Sequence, residues 1–133
     1  MAGVKPAAGL LNATPSFEDN IVAFAGGGQA GAYPLTVDVN RVVTVANAGD
    51  SVGLPKADRV YRILVINSHA SHSINVFPFG ASAPFPGDNI NGAASNAAFA
   101  LGAGLAAEFI SVTPRQLDTS GIGRWYTLPV TPS

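Results

Sequence analysis

The chain is 133 residues long, with seven basic and eight acidic side chains and a formal net charge of −1. That length suits one domain, and the absence of cysteine excludes disulfide frameworks, thiolate zinc sites and cysteine nucleophiles. A near-neutral balance argues against nucleic acid as the main partner, because that footprint is a basic patch.

In chain order, residues 1–15 read as an arm. Gly3, Pro6, Gly9 and Pro15 interrupt any regular element, and apolar Val4, Leu10 and Leu11 lie between them. Two adjacent leucines are wasted on a free tail, so the expectation is an arm that lies on a surface; a free terminus is the alternative. Ser16-Phe17-Glu18-Asp19 has the look of a capping box, which allows a short helical turn. Ile21 to Phe24 reads better as a strand, ended by the glycine run 26–28.

Thr36 to Val45 has period-two patterning. Val37, Val39, Val43 and Val45 share one phase, which is expected to be buried, and Asp38, Asn40 and Thr44 share the other. Arg41 falls in the apolar phase and marks a bulge or a break between strands. Ser51 to Pro55 reads as a short edge piece, since Pro55 cannot donate to a ladder. Val60 to Ile66 is nearly continuous apolar sequence, the mark of a central strand covered on both faces. It is expected to form a hairpin with Ile74–Phe77 through the polar loop 67–73, whose exposed tip carries His69 and His72.

Residues 78–91 read as an ordered loop pinned by Phe79 and Phe85. Ala97–Leu101 and Leu105–Val112 flank Gly102-Ala103-Gly104, a hairpin signal. Gly123 to Leu128 is a closing strand, in which Trp125 and Tyr126 point to opposite faces, one into the core and one toward a contact surface. Strand signals recur roughly every ten residues, and no window has sustained helical periodicity. The expected fold is all-β: a single β-sandwich domain over residues 16–133, with a jelly roll as one form of it, preceded by the extended N-terminal arm.

Few constellations carry chemistry. The glycines at 26–28 lack the lysine and Ser/Thr of a phosphate loop. His69 and His72 are the only histidines, and a structural zinc site needs four ligands. A symmetric ring would have to bring copies of the pair together before they could hold a metal. No Gly-x-Ser-x-Gly elbow is present, and ionisable groups are too sparse for acid–base work. The expectation is a chain that is not an enzyme and uses no cofactor. The longest apolar stretches fall far short of the ~20 residues of a spanning helix, and the first residues lack a signal-peptide core. The product is therefore expected without a membrane partner, kept in a cytoplasm or built into something assembled there.

Only 11% of residues are charged, against roughly 25% in an average soluble domain. Spread over the roughly 6,500 Å² that a folded monomer of this mass exposes, that is about one charge per 430 Å², half the usual density. Such a surface is poorly solvated unless neighbouring protein covers part of it, so the chain is expected to be a subunit of an assembly.

Several stretches carry a resemblance. They are Val-Thr-Val-Ala-Asn-Ala-Gly-Asp-Ser-Val-Gly-Leu-Pro at 43–55, Tyr-Arg-Ile-Leu-Val-Ile-Asn at 61–67, Ser-Ile-Asn-Val-Phe-Pro at 73–78 and Gly-Asp-Asn-Ile-Asn-Gly-Ala-Ala at 87–94. Ala-Ala-Phe-Ala-Leu-Gly-Ala-Gly-Leu-Ala-Ala-Glu-Phe at 97–109 and Gly-Arg-Trp-Tyr at 123–126 complete the set. Together they resemble a recurring module of tailed-bacteriophage virion proteins, over residues 37–128. The resemblance spans capsid decoration proteins and tail or fibre components. A short chain with an arm before a sandwich resembles the capsid cement proteins more closely. It implies a decoration protein that binds the outer surface of the major capsid protein shell as a homo-oligomer, a trimer by family habit, and reinforces it. The alternative is a tail-tip or fibre module that binds a host receptor. It brings no catalytic residues. Candidate capsid or subunit contacts are Val4, Leu10 and Leu11 in the arm, Phe17 at the start of the domain, and Tyr126.

Overall fold

A computed structural model describes residues 14–81, 86–113 and 122–130. Those residues contain ten strands and no helix: β1 (Phe17–Val22), β2 (Tyr33–Pro34), β3 (Val39–Thr44), β4 (Asp50–Gly53), β5 (Tyr61–Asn67), β6 (Ile74–Phe77), β7 (Asn89–Ile90), β8 (Phe99–Leu101), β9 (Ala106–Thr113) and β10 (Arg124–Val130). They form a six-stranded sheet in the order β1-β3-β5-β9-β10-β7 and a four-stranded sheet in the order β2-β4-β6-β8. Ile63, Val65, Phe109 and Trp125 from the larger sheet meet Val52, Ile74, Val76 and Leu101 from the smaller in one apolar cluster. The chain is thus an all-β sandwich.

From β1 to β9 the strands alternate between the two sheets. β1, β3 and β5 stack in parallel on one side, and β2, β4 and β6 stack in parallel on the other. The first half is therefore three superposed rungs, like a short β-solenoid. The second half closes it with antiparallel pairs, β5 with β9, β9 with β10, and β6 with β8. A jelly roll is antiparallel throughout, and the parallel rungs depart from that pattern.

The rung pattern corrects several expectations. β5 and β6 lie in different sheets, so loop 67–73 is an arch across the core and not a hairpin. The same holds for β8 and β9 around Gly102–Gly104, where the Leu105 N–H bonds the Gly102 carbonyl at 3.2 Å and Gly104 takes a φ of 73°. A hairpin and an arch share turn chemistry; they differ only in whether the flanking strands bond each other or other partners. β4 is interior, flanked by β2 and β6, and Pro55 falls beyond it. The Ser16 segment forms no helical turn but enters β1, tied by the Ser16 carbonyl to the Val39 N–H and by its hydroxyl to the Asp38 N–H.

β3 brings the largest correction. Its inward residues are Asn40 and Val42, both fully buried, while Val39, Arg41 and Val43 point outward and are half-buried. The strand is unbroken at Arg41, because that side chain leaves the core and pairs with Asp19 at 2.9 Å. Inside, the Asn40 amide nitrogen donates to the Val37 carbonyl at 2.9 Å, while its Oδ1 is buried without a partner among the described residues.

Candidate interaction face and loop sites

The outer face of the six-stranded sheet collects the apolar side chains that the core does not use. Among the described residues, large exposed apolar side chains include Phe17, Val22, Val60, Tyr126 and Leu128. Alternation sets Val22, Val60, Tyr126 and Leu128 on this face, since their neighbours Ile21, Tyr61 and Trp125 pack inward; Phe17 joins them opposite outward Val39, because β1 is irregular between Glu18 and Ile21, where Asn20 has a φ of 58°. Half-buried Val39, Leu64, Ile66 and Ile110 lie between them. Register aligns Leu128, Glu108, Leu64, Val39 and Phe17 in one row across five strands. A groove of about 530 Å³ runs along the middle of that row, lined by apolar Pro15, Val39, Val60 and Leu64 and by the charged side chains of Asp38, Arg62 and Glu108.

Two ion pairs on this face are closed within the chain, and the carboxylate of Asp38 accepts the Ser16 N–H at 3.0 Å. The Arg62 guanidinium grips both Glu108 carboxylate oxygens at 2.9 and 3.0 Å, a bidentate pair. Arg41 reaches both Asp19 oxygens through one nitrogen, Nη1, at 2.9 and 3.2 Å. The Asp19 carboxyl is held below its ordinary value of 3.8, first by the Asn20 backbone N–H and then by Arg41. At the sheet edge, the Tyr33 hydroxyl donates to the Glu18 carboxylate, which ties β2 to β1 and raises the phenol above its ordinary 10.0.

Of the expected contact residues, Phe17 is 57% exposed and Tyr126 is 44% exposed, and both fall on this face. Val4, Leu10 and Leu11 lie outside the described residues. Adjacent Trp125 is fully buried and stacks on Tyr61 with ring centres 5.9 Å apart.

The histidine loop is more tightly folded than an exposed tip. Ala70 and Ser71 form the tip, and both histidines are half-buried. Their rings stack 4.6 Å apart and nearly parallel. His69 Nδ1 accepts the N–H groups of His72 at 2.9 Å and Ser71 at 3.2 Å, and His72 Nδ1 meets the Val45 carbonyl at 2.8 Å. Buried Asn67 clamps the arch by donating to the carbonyls of His72 and Leu101 and accepting the His69 N–H. These imidazoles therefore serve as turn-forming groups. Among the described residues, no three His, Cys, Asp or Glu side chains gather as a metal set.

The second loop of interest begins at Pro78, at the opposite end of β6 from the histidine loop. Phe79 is half-buried with the Lys56 ammonium 5.3 Å from its ring centre; Phe85 lies outside the described residues. Buried Asp88 accepts the Ala57 N–H at 2.7 Å and so acts as a loop clamp. Gly26 and Gly31 leave room for the Phe24 ring, which comes within 2.6 Å of where a Cβ would stand at either, while Gly28 faces open space. No helix among the described residues is long and apolar enough to cross a membrane.

No protein-family model matches the chain, and no curated protein or solved structure matches it either.

Proposed function

We propose that this chain is a bacteriophage capsid decoration protein: a homo-oligomer, expected to be a trimer, that binds the outer surface of the major capsid shell and reinforces it. The observation that carries the reading is the apolar, internally charge-matched outer face of the six-stranded sheet. A surface of that kind is made to be covered by protein, as the sparse charge of the whole chain also requires. The resemblance over residues 37–128 supplies the virion context. In this reading residues 1–15 are an extended arm that lengthens each footprint. Linkage of several weak contacts within one oligomer then gives avidity for a repeating shell.

The receptor-binding alternative is less well supported. It needs aromatic and polar side chains gathered on one set of loops, and the histidine loop and the Phe79 loop stand at opposite ends of β6.

The test is to image phage particles carrying labelled protein. Label over the head supports the proposal, and label confined to the tail contradicts it. Removing residues 1–15 is expected to leave a folded oligomer that no longer coats heads; normal occupancy by the truncated protein would refute the role given to the arm.

A further inference from the structure

We infer that the outer face of the six-stranded sheet is the contact between copies of this chain. The inference rests on the homo-oligomeric part of the proposal above and names its surface. The first argument is sequence pattern against observed burial. A strand covered on both faces reads as a continuous apolar run, and β5 reads that way through Ile63-Leu64-Val65-Ile66. Yet the four-stranded sheet covers only Ile63 and Val65; Leu64 and Ile66 face outward with nothing from the described residues above them. In β3 the valine phase, Val39 and Val43, also faces outward. Two neighbouring strands are therefore patterned for a layer that the described fold does not supply.

The second argument is electrostatic. Asp19 with Arg41 and Glu108 with Arg62 are already paired within the chain. The carboxylate of Asp38, which lines the same groove, accepts the Ser16 N–H, so the face offers few uncommitted charges to steer an oppositely charged partner. Its fitting counterpart is another apolar, charge-matched surface, and a second copy brings one.

The third argument is size and access. Five strands about 4.8 Å apart and roughly 18 Å long present on the order of 450 Å² in projection. Side-chain relief and the flanking Pro15–Val60 groove bring this toward the ~800 Å² per partner of a standard contact. The sheet edges are blunted against pairing with another strand. β1 carries register shifts and Asn20 at a φ of 58°. Past the two residues paired to β7, the Thr127 N–H of β10 is taken by Asn91 Oδ1, and Pro129 has no N–H to offer. For this sheet, association through its face is open where association through its edges is hindered.

The experiment is light scattering of the full chain over a dilution series, with Leu128→Glu and Val60→Glu as separate variants and Ala100→Glu, on the outer side of β8, as the control. Leu128 and Val60 are 50% and 65% exposed, so each subunit is expected to keep its fold, checked by circular dichroism. The wild type is expected at a multiple of 13.5 kDa. Each face variant should weaken association at least tenfold and the control should not. A wild type that stays monomeric well above micromolar concentration overturns the inference, as does an oligomer that both face variants leave intact. The two readings fail separately. Protein that assembles through this face but leaves heads bare defeats the capsid role alone; an oligomer that coats heads but is left intact by both face variants defeats this inference alone.

Discussion

The two faces of the six-stranded sheet are built from similar residues and meet different surroundings. On β10, Trp125 points inward and is fully buried, while Tyr126 and Leu128 point outward and stay about half exposed. On β5, Ile63 and Val65 are sealed by the smaller sheet, while Leu64 and Ile66 are not. The inner face even carries polar Asn40 and Asn67, both fully buried, and the outer face carries valines in their place. Apolar character alone therefore does not mark the side on which a sheet is covered by its own chain. In the reading proposed above, the outer side is covered by another copy of the chain.

That contrast can be broken from the inside first. Trp125→Ala should cost about 3–5 kcal/mol, the usual loss for emptying a large aromatic site, read as a drop in the urea midpoint; a loss no larger than that of an outer-face variant would contradict the assignment of faces. Asn67→Ala should cost about 2–3 kcal/mol, because it strands the carbonyls of His72 and Leu101 in the arch without a donor. An isosteric Asn67→Leu that proved neutral would show instead that shape, and not the clamp, holds the turn.

On the outer face, Leu128→Ser should change the stability of the dilute subunit by no more than about 0.5 kcal/mol, as for an ordinary surface site. A large loss would mean that this face is already packed within one chain. The smallest effect belongs to the ion pair. Asp19 has a depressed carboxyl in the folded state, so its contribution is present above the ordinary carboxylate range and is lost as pH falls through the folded value. Asp19→Asn should lower the urea midpoint slightly at neutral pH, and the gap to wild type should close in acid. A gap that persists in acid would assign the effect to something other than charge.

Much of the fold was legible in the sequence. The all-β class, the strand read at 60–66 and found at 61–67, and the opposed directions of Trp125 and Tyr126 follow from composition and apolar patterning. Connectivity was not legible, since Gly102–Gly104 makes the same local turn whether Leu101 and Ala106 share a sheet or face each other across the core. The facing of β3 was misread for a physical reason. Val39 and Val43 are more apolar than Asn40, but Asn40 finds the Val37 carbonyl and can be buried. Of the valine phase only Val45 reaches the core, while Val39 and Val43 stay half-buried on the outer side. Of the candidate contacts, Phe17 and Tyr126 share one face because β1 and β10 belong to one sheet, a relation that spacing along the chain does not contain.

The central claim is that the outward row of the six-stranded sheet is shielded from water when the protein is assembled. Hydroxyl-radical footprinting at Leu64, Ile66, Tyr126 and Leu128, compared between concentrated and highly diluted protein, tests it most directly. These four side chains should be protected at high concentration and become reactive on dilution, while Val60 follows them and Leu105, in the β8–β9 turn, does not. Equal reactivity of the row at every concentration would contradict it.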